Sequence, residues 1–436
     1  MEPQREYDII LLGPTGYTGR FCAQHIVKHL PTNLNWAVGG RSQSKLEQSV
    51  KELRDLNPDR KDPDILTVQL NREELDPLVR KTKVIINCVG PYCLYSTPVV
   101  EACASNGTHY VDATGETPWV KTIVDKYHET AKSNGAVIIP SVGIESAPAD
   151  MLAWALVKRI REDLACDTNE VISAIHEMKS APASPSLPHI HILPKLTLHP
   201  RSSGASGGTL STVLTVFDTL SLSDIIKTAD PFSLAATKPS PHQQPREPLL
   251  AHLSGVRYVP DLGALTTSPS GLADVNIVHR SSSLMPELYG SRFHFRQFLR
   301  VRNALVGVLF HYAFLVCISL LVLAPVRALV RRLVYTPGTG PTAEASVNDL
   351  VEYRAVATAD QSGRPKRAFG KLRYQGGMYE FTGLSLAEAA MVILENEEKV
   401  KRVSRGGIVT TAVLGEELLE RWERVGCRVE TQVFEH

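Results

Sequence analysis

The N-terminal segment of residues 8–20, DIILLGPTGYTGR, constrains the fold more than any other part of the sequence. Its four consecutive apolar residues are typical of a strand that is buried on both faces, like the central strands of parallel sheets. Gly13, Gly16 and Gly19 follow at GxxGxxG spacing, and a helical pattern of apolar residues begins directly after them. Together these features predict a binding site for a dinucleotide pyrophosphate, because free backbone N–H groups and the helix dipole attract phosphate. The alternative is a plain tight turn between a strand and a helix.

The residues after a second predicted strand, at 34–38, bear on the choice of dinucleotide. An NAD-preferring site usually carries an acid at this strand end, where it binds the ribose hydroxyls of the adenosine. No acid is present here, and Arg41, Ser42 and Lys45 would instead suit the 2′-phosphate of NADP. The sequence therefore favours NADP as the cofactor, with NAD as the alternative. The other interpretation of Arg41 is a solvated residue at the start of a helix.

A third predicted contact with the cofactor is the turn NCVGPY at 87–92, which ends a strand predicted at 84–89. Open α/β sheets bind their ligands along the carboxyl ends of the strands, so this turn should lie beside the glycine turn. The predicted cofactor-binding residues are Gly13, Thr15, Gly16, Tyr17, Thr18, Gly19, Arg41, Ser42, Lys45, Gly90 and Pro91.

Strand and helix patterns alternate through the first third of the chain. Six predicted strands with intervening helices, between about residues 6 and 145, match a complete doubly wound parallel sheet of the Rossmann type. Beyond this point the alternation fades, although the remaining sequence still predicts a globular α/β structure. The later predicted segments are helices at 147–161, 206–220, 385–396 and within 406–425, a strand at 167–177, a long loop over 181–208, loops and short strands over 228–285, and a hairpin over 352–374.

Charge and cysteine content limit which binding partners and which cellular compartment the sequence predicts. The 47 Lys and Arg residues nearly balance the 46 Asp and Glu residues, so no nucleic acid partner is predicted. Seven cysteines without a CxxC pair favour a reducing, intracellular compartment and argue against a metal site. His189, His191 and His199 have no acid or cysteine at useful spacing, so we do not predict that they bind a metal. The polar N-terminus argues against a secretory signal or a transit peptide.

Residues 304–323 are the second outstanding feature, because they contain no Asp, Glu, Lys or Arg and show no polar face. About 20 helical residues rise about 30 Å, which is the thickness of a bilayer core. The segment could span a membrane, dip into one leaflet, or be a buried helix in an oligomer. Contact with a membrane or lipid droplet is favoured over burial. If the residues after 333 fold together with the preceding ones, a span is excluded.

A nicotinamide enzyme holds a hydride donor against an electrophile and often needs a proton donor for the atom opposite. Tyr92, Asp112 and Glu145 are candidates for that donor, with Tyr95 and Glu116 beside them in the sequence. Each candidate also has a structural interpretation, in which the acids cap helices and the tyrosines pack between domains. The geometry of the site decides between these roles.

Motifs spread over nearly the whole chain resemble the saccharopine dehydrogenase-like oxidoreductases, a family that includes the trans-acting enoyl reductases. The resembling motifs are GPTGYTGR at 13–20, GGR at 39–41, NCVGPY at 87–92, YVDATGE at 110–116, SAPADM at 146–151, SGGTL at 206–210, PGTGP at 337–341 and GGIVTTAVLGEEL at 406–418.

The resemblance implies an α/β protein with three parts. They are a Rossmann domain over 1–147, a second mixed α/β domain over 148–405 for substrate or dimer contacts that includes the apolar helix, and a C-terminal helix and tail over 406–436 that pack back on the Rossmann domain. Because the apolar helix then lies inside the second domain, attachment to one membrane face is favoured over a span.

We therefore predict an NADPH-dependent oxidoreductase that acts at a membrane or lipid-droplet surface. Its small-molecule substrate is expected to be apolar or acyl, similar to a lipid or polyketide, with a C=C or C=N bond that is reduced. A homodimer is a further possibility. The alternatives are a membrane-associated protein that binds the nucleotide without turnover and, with weaker support, a saccharopine-type dehydrogenase.

Overall fold

The computed structural model describes residues 5–179, 191–193, 196–197, 207–238, 247–333, 346 and 348–434. Its strands are β1 (Tyr7–Leu12), β2 (Trp36–Gly40), β3 (Asp64–Thr67), β4 (Thr82–Asn87), β5 (His109–Asp112), β6 (Val137–Ile139), β7 (Thr168–Lys179), β8 (His191–Leu193), β9 (Leu196–Thr197), β10 (Arg257–Val259), β11 (Gly263–Thr267), β12 (His294–Arg300), β13 (Leu350–Ala359), β14 (Arg367–Gln375), β15 (Gly407–Ile408) and β16 (Cys427–Val433).

The helices of the described segments alternate with these strands in the first third of the chain and cluster later. They are α1 (Tyr17–His29), α2 (Gln43–Arg54), α3 (Arg72–Val79), α4 (Tyr92–Tyr95), α5 (Thr97–Asn106), α6 (Thr117–Ser133), α7 (Ala147–Leu164), α8 (Gly207–Thr219), α9 (Leu222–Lys227), α10 (Leu249–Ser254), α11 (Gly271–Leu284), α12 (Pro286–Tyr289), α13 (Ala304–Leu321), α14 (Ala324–Leu333), α15 (Met378–Glu395), α16 (Glu397–Ser404) and α17 (Gly415–Arg424).

The first sheet has seven strands in the order β15-β6-β5-β4-β1-β2-β3, and every neighbouring pair is parallel. Strand β1 lies inside it because its side chains alternate between two cores. Ile9 and Leu11 join the core cluster that includes α1 and α15, whereas Ile10 and Leu12 join the cluster that includes α3, α5 and α6. Helices therefore cover both faces, and the predicted doubly wound parallel sheet is confirmed.

The second sheet is mixed, with seven strands in the order β10-β11-β12-β7-β13-β14-β16. Only β12 and β7 pair in parallel, and the other five neighbouring pairs are antiparallel. Helix α7 packs across this sheet and is buried along most of its length. The second mixed α/β unit that the sequence predicted is therefore present.

Several local predictions are corrected by the structure. The region 228–285 was expected to hold loops and short strands, but it also contains the long helix α11. Strands β8 and β9 lie within the predicted loop 181–208, and residues 207–208 already belong to α8. The other residues of that loop lie outside the described residues, together with the motif at 337–341. The C-terminal segment 406–436 contributes strands to both sheets, β15 to the first and β16 to the second, which the prediction of a helix and tail on the Rossmann domain lacked.

A buried cluster of charges links the first sheet to the later part of the chain. The Glu388 carboxylate on α15 lies 2.7 Å from His25 Nε2 on α1 and 2.7 Å from an Arg421 guanidinium nitrogen on α17. Burial alone would raise the pKa of Glu388, but its contacts with His25 and Arg421 outweigh burial and lower that pKa. Arg421 also pairs with Glu395, whose side chain is 47% exposed.

Removing the Glu388 carboxylate should destabilise the fold, since Arg421 would lose a buried counter-charge and His25 would lose its hydrogen-bond partner. We expect Glu388→Ala to lower the free energy of unfolding by about 3 kcal/mol, measured by urea denaturation. The matched variant Glu395→Ala, which removes an exposed partner of the same arginine, should cost less than about 1 kcal/mol. The effect of Glu388→Ala should shrink as the pH falls below about 4, because the contacts that lower the pKa of Glu388 stabilise the fold only while its carboxyl is ionised. Equal losses in the two variants would contradict this role for Glu388.

The apolar stretch forms α13, which is exposed along most of its length. In the described part of the chain it is the one helix long and apolar enough to cross a membrane, and Gly307 is its single buried residue. Its first half docks on the second sheet, where Thr266 Oγ1 donates a 2.8 Å hydrogen bond to the carbonyl of Gly307. Strands β12 and β13 precede and follow the pair α13 and α14, and both are neighbours of β7. The chain thus leaves the second sheet before α13 and returns to the same sheet afterwards.

Candidate active site

A cavity of about 530 Å³ lies at the carboxyl ends of the strands of the first sheet, which is where open α/β sheets bind ligands. The first domain contributes the glycine turn, the turn after β4 and the turns after β5 and β6. Helices α8, α9, α11 and α15 close the opposite side. A larger groove of about 1040 Å³ runs between α6, α11 and α16, but no predicted site residue lines it. The smaller cavity is therefore the candidate active site.

The glycine turn has the geometry that a pyrophosphate needs. Gly16 precedes α1, no side chain caps that helix N-terminus, and no acidic residue stands in the first turn. Gly13 has a φ of +78°, and a Cβ at Gly19 would overlap the carbonyl oxygen of Gly13. Side chains at Gly13 and Gly19 would therefore disturb this tight turn. The uncapped N–H groups of a long helix, beside this tight turn, fit the phosphates of NADP.

The predicted cofactor residues divide into two groups. Gly16, Tyr17, Thr18, Gly90 and Pro91 line the cavity, so the structure brings the glycine turn and the turn after β4 together as expected. Gly13 and Gly19 do not line the cavity, but the tight turn requires that they have no side chain.

Arg41, Ser42 and Lys45 stand at the carboxyl end of β2, outside the cavity lining, and Thr15 is also absent from that lining. Arg41 and Lys45 are exposed, and neither makes an ion pair within the described segments. Two unpaired cations at this strand end suit a 2′-phosphate, and their contact with it stays a prediction.

Among the predicted proton donors, Tyr92 is held in a structural role. Its backbone N–H donates a 2.7 Å hydrogen bond to Glu116, and its hydroxyl lies 3.4 Å from the carbonyl oxygen of Asn87. Its ring lies 5.8 Å from that of Trp119. Burial raises the pKa of the phenol well above its ordinary value, so it does not ionise readily.

Asp112 and Glu116 hold the turns of the site in place. Asp112 accepts hydrogen bonds from the N–H groups of Thr114 and Ser141, at 2.9 Å and 3.0 Å, and from the Tyr110 hydroxyl at 2.7 Å. Burial raises the pKa of Asp112 to about 7, partly offset by these donors. Glu116 accepts the N–H groups at the start of α4 and so caps that helix. The structural interpretation of both acids fits their contacts.

Glu145 differs from the other candidates because its carboxyl group lines the cavity without a hydrogen-bond partner among the described residues. One carboxyl oxygen lies against Gly115, where a Cβ would overlap it. Burial raises the pKa of Glu145, so its carboxyl keeps a proton at a higher pH than a solvated glutamate would. A carboxyl that faces a cavity can, in its protonated form, deliver a proton to a bound molecule.

Residues from distant parts of the chain fix the backbone beside Glu145. The N–H of Ile144 donates a 3.2 Å hydrogen bond to Thr382 Oγ1 on α15, and the Tyr353 hydroxyl on β13 donates a 3.0 Å hydrogen bond to the carbonyl of Ile144. Sequence reasoning missed both partners, because no local pattern connects positions 144, 353 and 382.

A second buried acid, Asp274 on α11, was also missed. Ser270 donates a 3.0 Å hydrogen bond to one of its oxygens, and the other oxygen has no partner in the described part of the chain. Burial, reinforced by the charges of Glu145 and Asp150, raises its pKa well above the ordinary value. Its place in a region expected to be loop explains why the sequence did not indicate it. Of the histidines considered for a metal, His189 and His199 lie outside the described residues.

Comparison with known proteins identifies the nucleotide domain. Residues 9–139 match the family model described as the saccharopine dehydrogenase NADP binding domain. This span runs from β1 to the end of β6 and includes the glycine turn and the turn after β4. The protein is an NADP-dependent oxidoreductase, and the predicted cofactor is confirmed.

Relatives extend the likeness over the whole chain. A Mycobacterium tuberculosis protein provisionally named a trans-acting enoyl reductase is 28% identical over 98% of both chains, and a Mycobacterium bovis trans-acting enoyl reductase is 26% identical over 97% of both. The solved apo saccharopine dehydrogenase (L-Glu forming) of Saccharomyces cerevisiae matches with a TM-score of 0.54 and 13% identity, covering 98% of this chain and 100% of that chain. The last match shows a shared fold alone. The predicted resemblance to the saccharopine dehydrogenase-like oxidoreductases is thus confirmed.

Proposed function

We propose that this oxidoreductase uses NADPH to reduce a C=C bond conjugated to the carbonyl group of an acyl substrate. The observation that carries the proposal is the Glu145 carboxyl, which faces the cavity between the cofactor turn and the second domain without a hydrogen-bond partner among the described residues. Relatives named as trans-acting enoyl reductases, similar over nearly the whole chain, support this bond type.

The cavity lining supports an uncharged, apolar substrate. Its described residues include no Lys, Arg or His, so it offers no cation to a substrate with several carboxylates, such as saccharopine. Apolar walls of the cavity are provided by Val213, Val216 and Phe217 on α8, Ile225 on α9 and Met378 on α15. An acyl chain could be buried against these side chains, where each methylene contributes about 0.8 kcal/mol.

The chemistry divides between cofactor and protein. NADPH, when bound, supplies a hydride, which adds to the β-carbon of the conjugated bond. Glu145 holds the proton that the α-carbon then needs, and its carboxyl becomes a carboxylate. Solvent returns that proton before the next cycle. Tyr353 and Thr382 are positioning residues, since they act on Glu145 through the backbone of Ile144.

A panel of substrates tests this proposal. Purified full-length protein is mixed with NADPH and with an enoyl thioester, an imine or an aldehyde, each of matched chain length, and NADPH oxidation is followed at its absorbance band. We expect sustained turnover with the enoyl thioester and little with the other two. Saturable NADPH binding without turnover on any member would instead support the alternative of a nucleotide-binding protein that is not an enzyme.

We also propose that the protein acts while attached to one face of a membrane or lipid droplet through α13 and α14. The chain leaves and rejoins the same sheet around this helical pair, which suits insertion from one side. Residues 288–343 contain seven Arg and no Asp, Glu or Lys. Four of these arginines pair with acids of other segments, whereas Arg300, Arg302 and Arg332 make no ion pair within the described residues and suit an anionic lipid surface. The apolar side chains of α13 stand in solvent, where Leu305 is 70% exposed and Leu309 is 64% exposed.

Charges placed on α13 should release the protein from membranes. We expect the double variant Leu305→Asp with Leu309→Asp to lower binding to phosphatidylcholine–phosphatidylglycerol vesicles by about 100-fold in a flotation assay, because two apolar side chains are lost from the lipid contact. NADPH affinity should not change. Val403→Asp, at a site on α16 that is 40% exposed, is the control and should bind vesicles like the wild type. Undiminished flotation of the double variant would refute the attachment.

A further inference from the structure

The wall of the cavity that α8 forms is connected through α14 to the apolar helix α13. Helix α8 lines the cavity with Thr212, Val213, Val216 and Phe217, which share one face at helical spacing. The same helix contacts α4 beside the cofactor turn and contacts α14 on its other side. Helix α8 therefore separates the cavity from the helices that we assign to the membrane.

Arg327 joins three helices at this point. Its Nη1 donates 2.8 Å hydrogen bonds to the carbonyls of Leu321 and Val322 at the end of α13, and its Nε donates a 2.6 Å hydrogen bond to Asp218 on α8. Arg331 on α14 also pairs with Asp218. The Arg327 side chain is only 12% exposed, whereas that of Arg331 is 48% exposed. The better buried Arg327 is thus the main link between α13, α14 and the cavity wall.

Apolar side chains continue from the cavity to the surface at the same wall. Ile225 on α9, directly after α8, lines the cavity, while Leu222 and Ile226 of the same helix are 51% and 63% exposed. Leu272 on α11 both lines the cavity and is 43% exposed. Helices α9 and α11 therefore present apolar side chains both to the cavity and to the surface, and the charged side chains of Asp224 and Lys227 on α9 pair with each other.

We propose that the substrate is a long-chain acyl compound that passes from the lipid leaflet into the cavity along α8, and that Arg327 and Asp218 hold α8 against the membrane-bound helices so that this passage stays aligned. The inference rests on the proposed function for the chemistry at the end of the passage. The passage itself can be tested without turnover. The partner is one leaflet of a membrane with anionic headgroups.

Breaking the Arg327 link should affect only substrates that arrive from the membrane. We expect Arg327→Gln to raise the KM for a long-chain enoyl thioester held in phosphatidylcholine–phosphatidylglycerol vesicles by about tenfold. The kcat/KM for a short, water-soluble enoyl thioester should change less than about twofold. Arg332→Gln removes the same charge from the same helix at an exposed site without a partner in the described segments, and it should leave both constants within about twofold. Equal losses on both substrates in Arg327→Gln would overturn the proposal.

A photolabel separates the passage from the reaction. A saturated acyl probe with a diazirine at its tail is placed in the same vesicles with wild-type protein, irradiated and mapped by mass spectrometry. We expect labels on α8 and α9 as well as α13, and weaker labelling of α8 in Asp218→Asn. Labelled α8 without enoyl reduction would support the passage and refute the reaction. Labels restricted to α13 and α14 in wild type would refute the passage, whether or not enoyl substrates are reduced.

Discussion

Gly16→Asp should abolish useful NADPH binding, with an affinity at least about 30-fold below that of the wild type. A carboxylate at the N-terminus of α1 would occupy the place of the pyrophosphate and repel it. The helix N-terminus carries no side-chain cap and no acid in its first turn, so its N–H groups are open to the pyrophosphate in the wild type, and the new carboxylate would accept them instead. Isothermal titration calorimetry with NADPH measures the change.

Gly16→Ala is the matched control for this prediction. A Cβ at Gly16 would lie 3.4 Å from the carbonyl oxygen of Gly13 and would meet no closer atom, and the backbone there is extended. The turn should therefore keep its shape, and the loss of affinity should be several-fold at most. If Gly16→Asp bound NADPH as tightly as Gly16→Ala, the dinucleotide would not sit on this turn.

Glu145→Gln should lower kcat for the enoyl substrate by about 100-fold to 1000-fold while leaving NADPH affinity unchanged. Glutamine keeps the size and polarity of the side chain but has no carboxyl proton to donate. In the wild type, activity should fall as the pH rises through the raised pKa of Glu145, because only the protonated carboxyl can donate. This fall in activity with rising pH should be absent from the residual activity of the variant. Stopped-flow kinetics across the pH range records both effects.

Tyr92→Phe provides the control for the assignment of Glu145. The Tyr92 hydroxyl contacts only backbone groups, the carbonyl of Asn87 at 3.4 Å and the backbone of Ala113, so its removal should change kcat less than about threefold. A loss in Tyr92→Phe as large as that in Glu145→Gln would move the proton donor to the tyrosine. The structure disfavours that outcome because the backbone of Tyr92 is fixed by Glu116 and its ring is buried.

The nucleotide-binding domain could be predicted because its sequence patterns are local. Strand β1, the glycine turn and α1 occupy one short segment, and the alternation of buried strands with helices repeats along the chain. The prediction placed the second strand at 34–38, and the structure extends it to Gly40, so Arg41 follows the strand directly. Errors of this size at strand ends do not change which residues reach the cofactor.

Helix α11 escaped prediction because it is buried yet polar. Asn276, His279 and Arg280 face the interior, where they bind backbone groups of the segment 228–238. Asn276 binds Thr228 and Ser233, His279 lies 2.9 Å from the carbonyl of Pro231, and Arg280 donates to the carbonyl of Leu234. These side chains form the hydrogen bonds that the buried backbone of the loop needs. Because they are polar, they interrupt the apolar spacing by which helices are recognised.

The choice among the acids could not be made from the sequence for a related reason. Asp112, Glu116 and Glu145 all follow strands or precede helices, so their sequence positions are equivalent. What separates them is the number of backbone N–H groups that each carboxylate accepts, and those donors come from Tyr92, Ser141 and other residues far along the chain. Tertiary contacts alone therefore single out Glu145.

The position of isotope labels in the product tests directly whether the protein reduces a conjugated C=C bond with NADPH. The protein is given NADPH with both hydrogens at C4 replaced by deuterium, [4,4-²H₂]NADPH, and an enoyl thioester in ordinary water, and the product is analysed by NMR spectroscopy and mass spectrometry. We expect one deuterium at the β-carbon and a solvent-derived hydrogen at the α-carbon, and we expect no labelled product from Gly16→Asp. Deuterium at the carbonyl carbon, or no transfer to any carbon of the substrate despite saturable NADPH binding, would contradict this reaction.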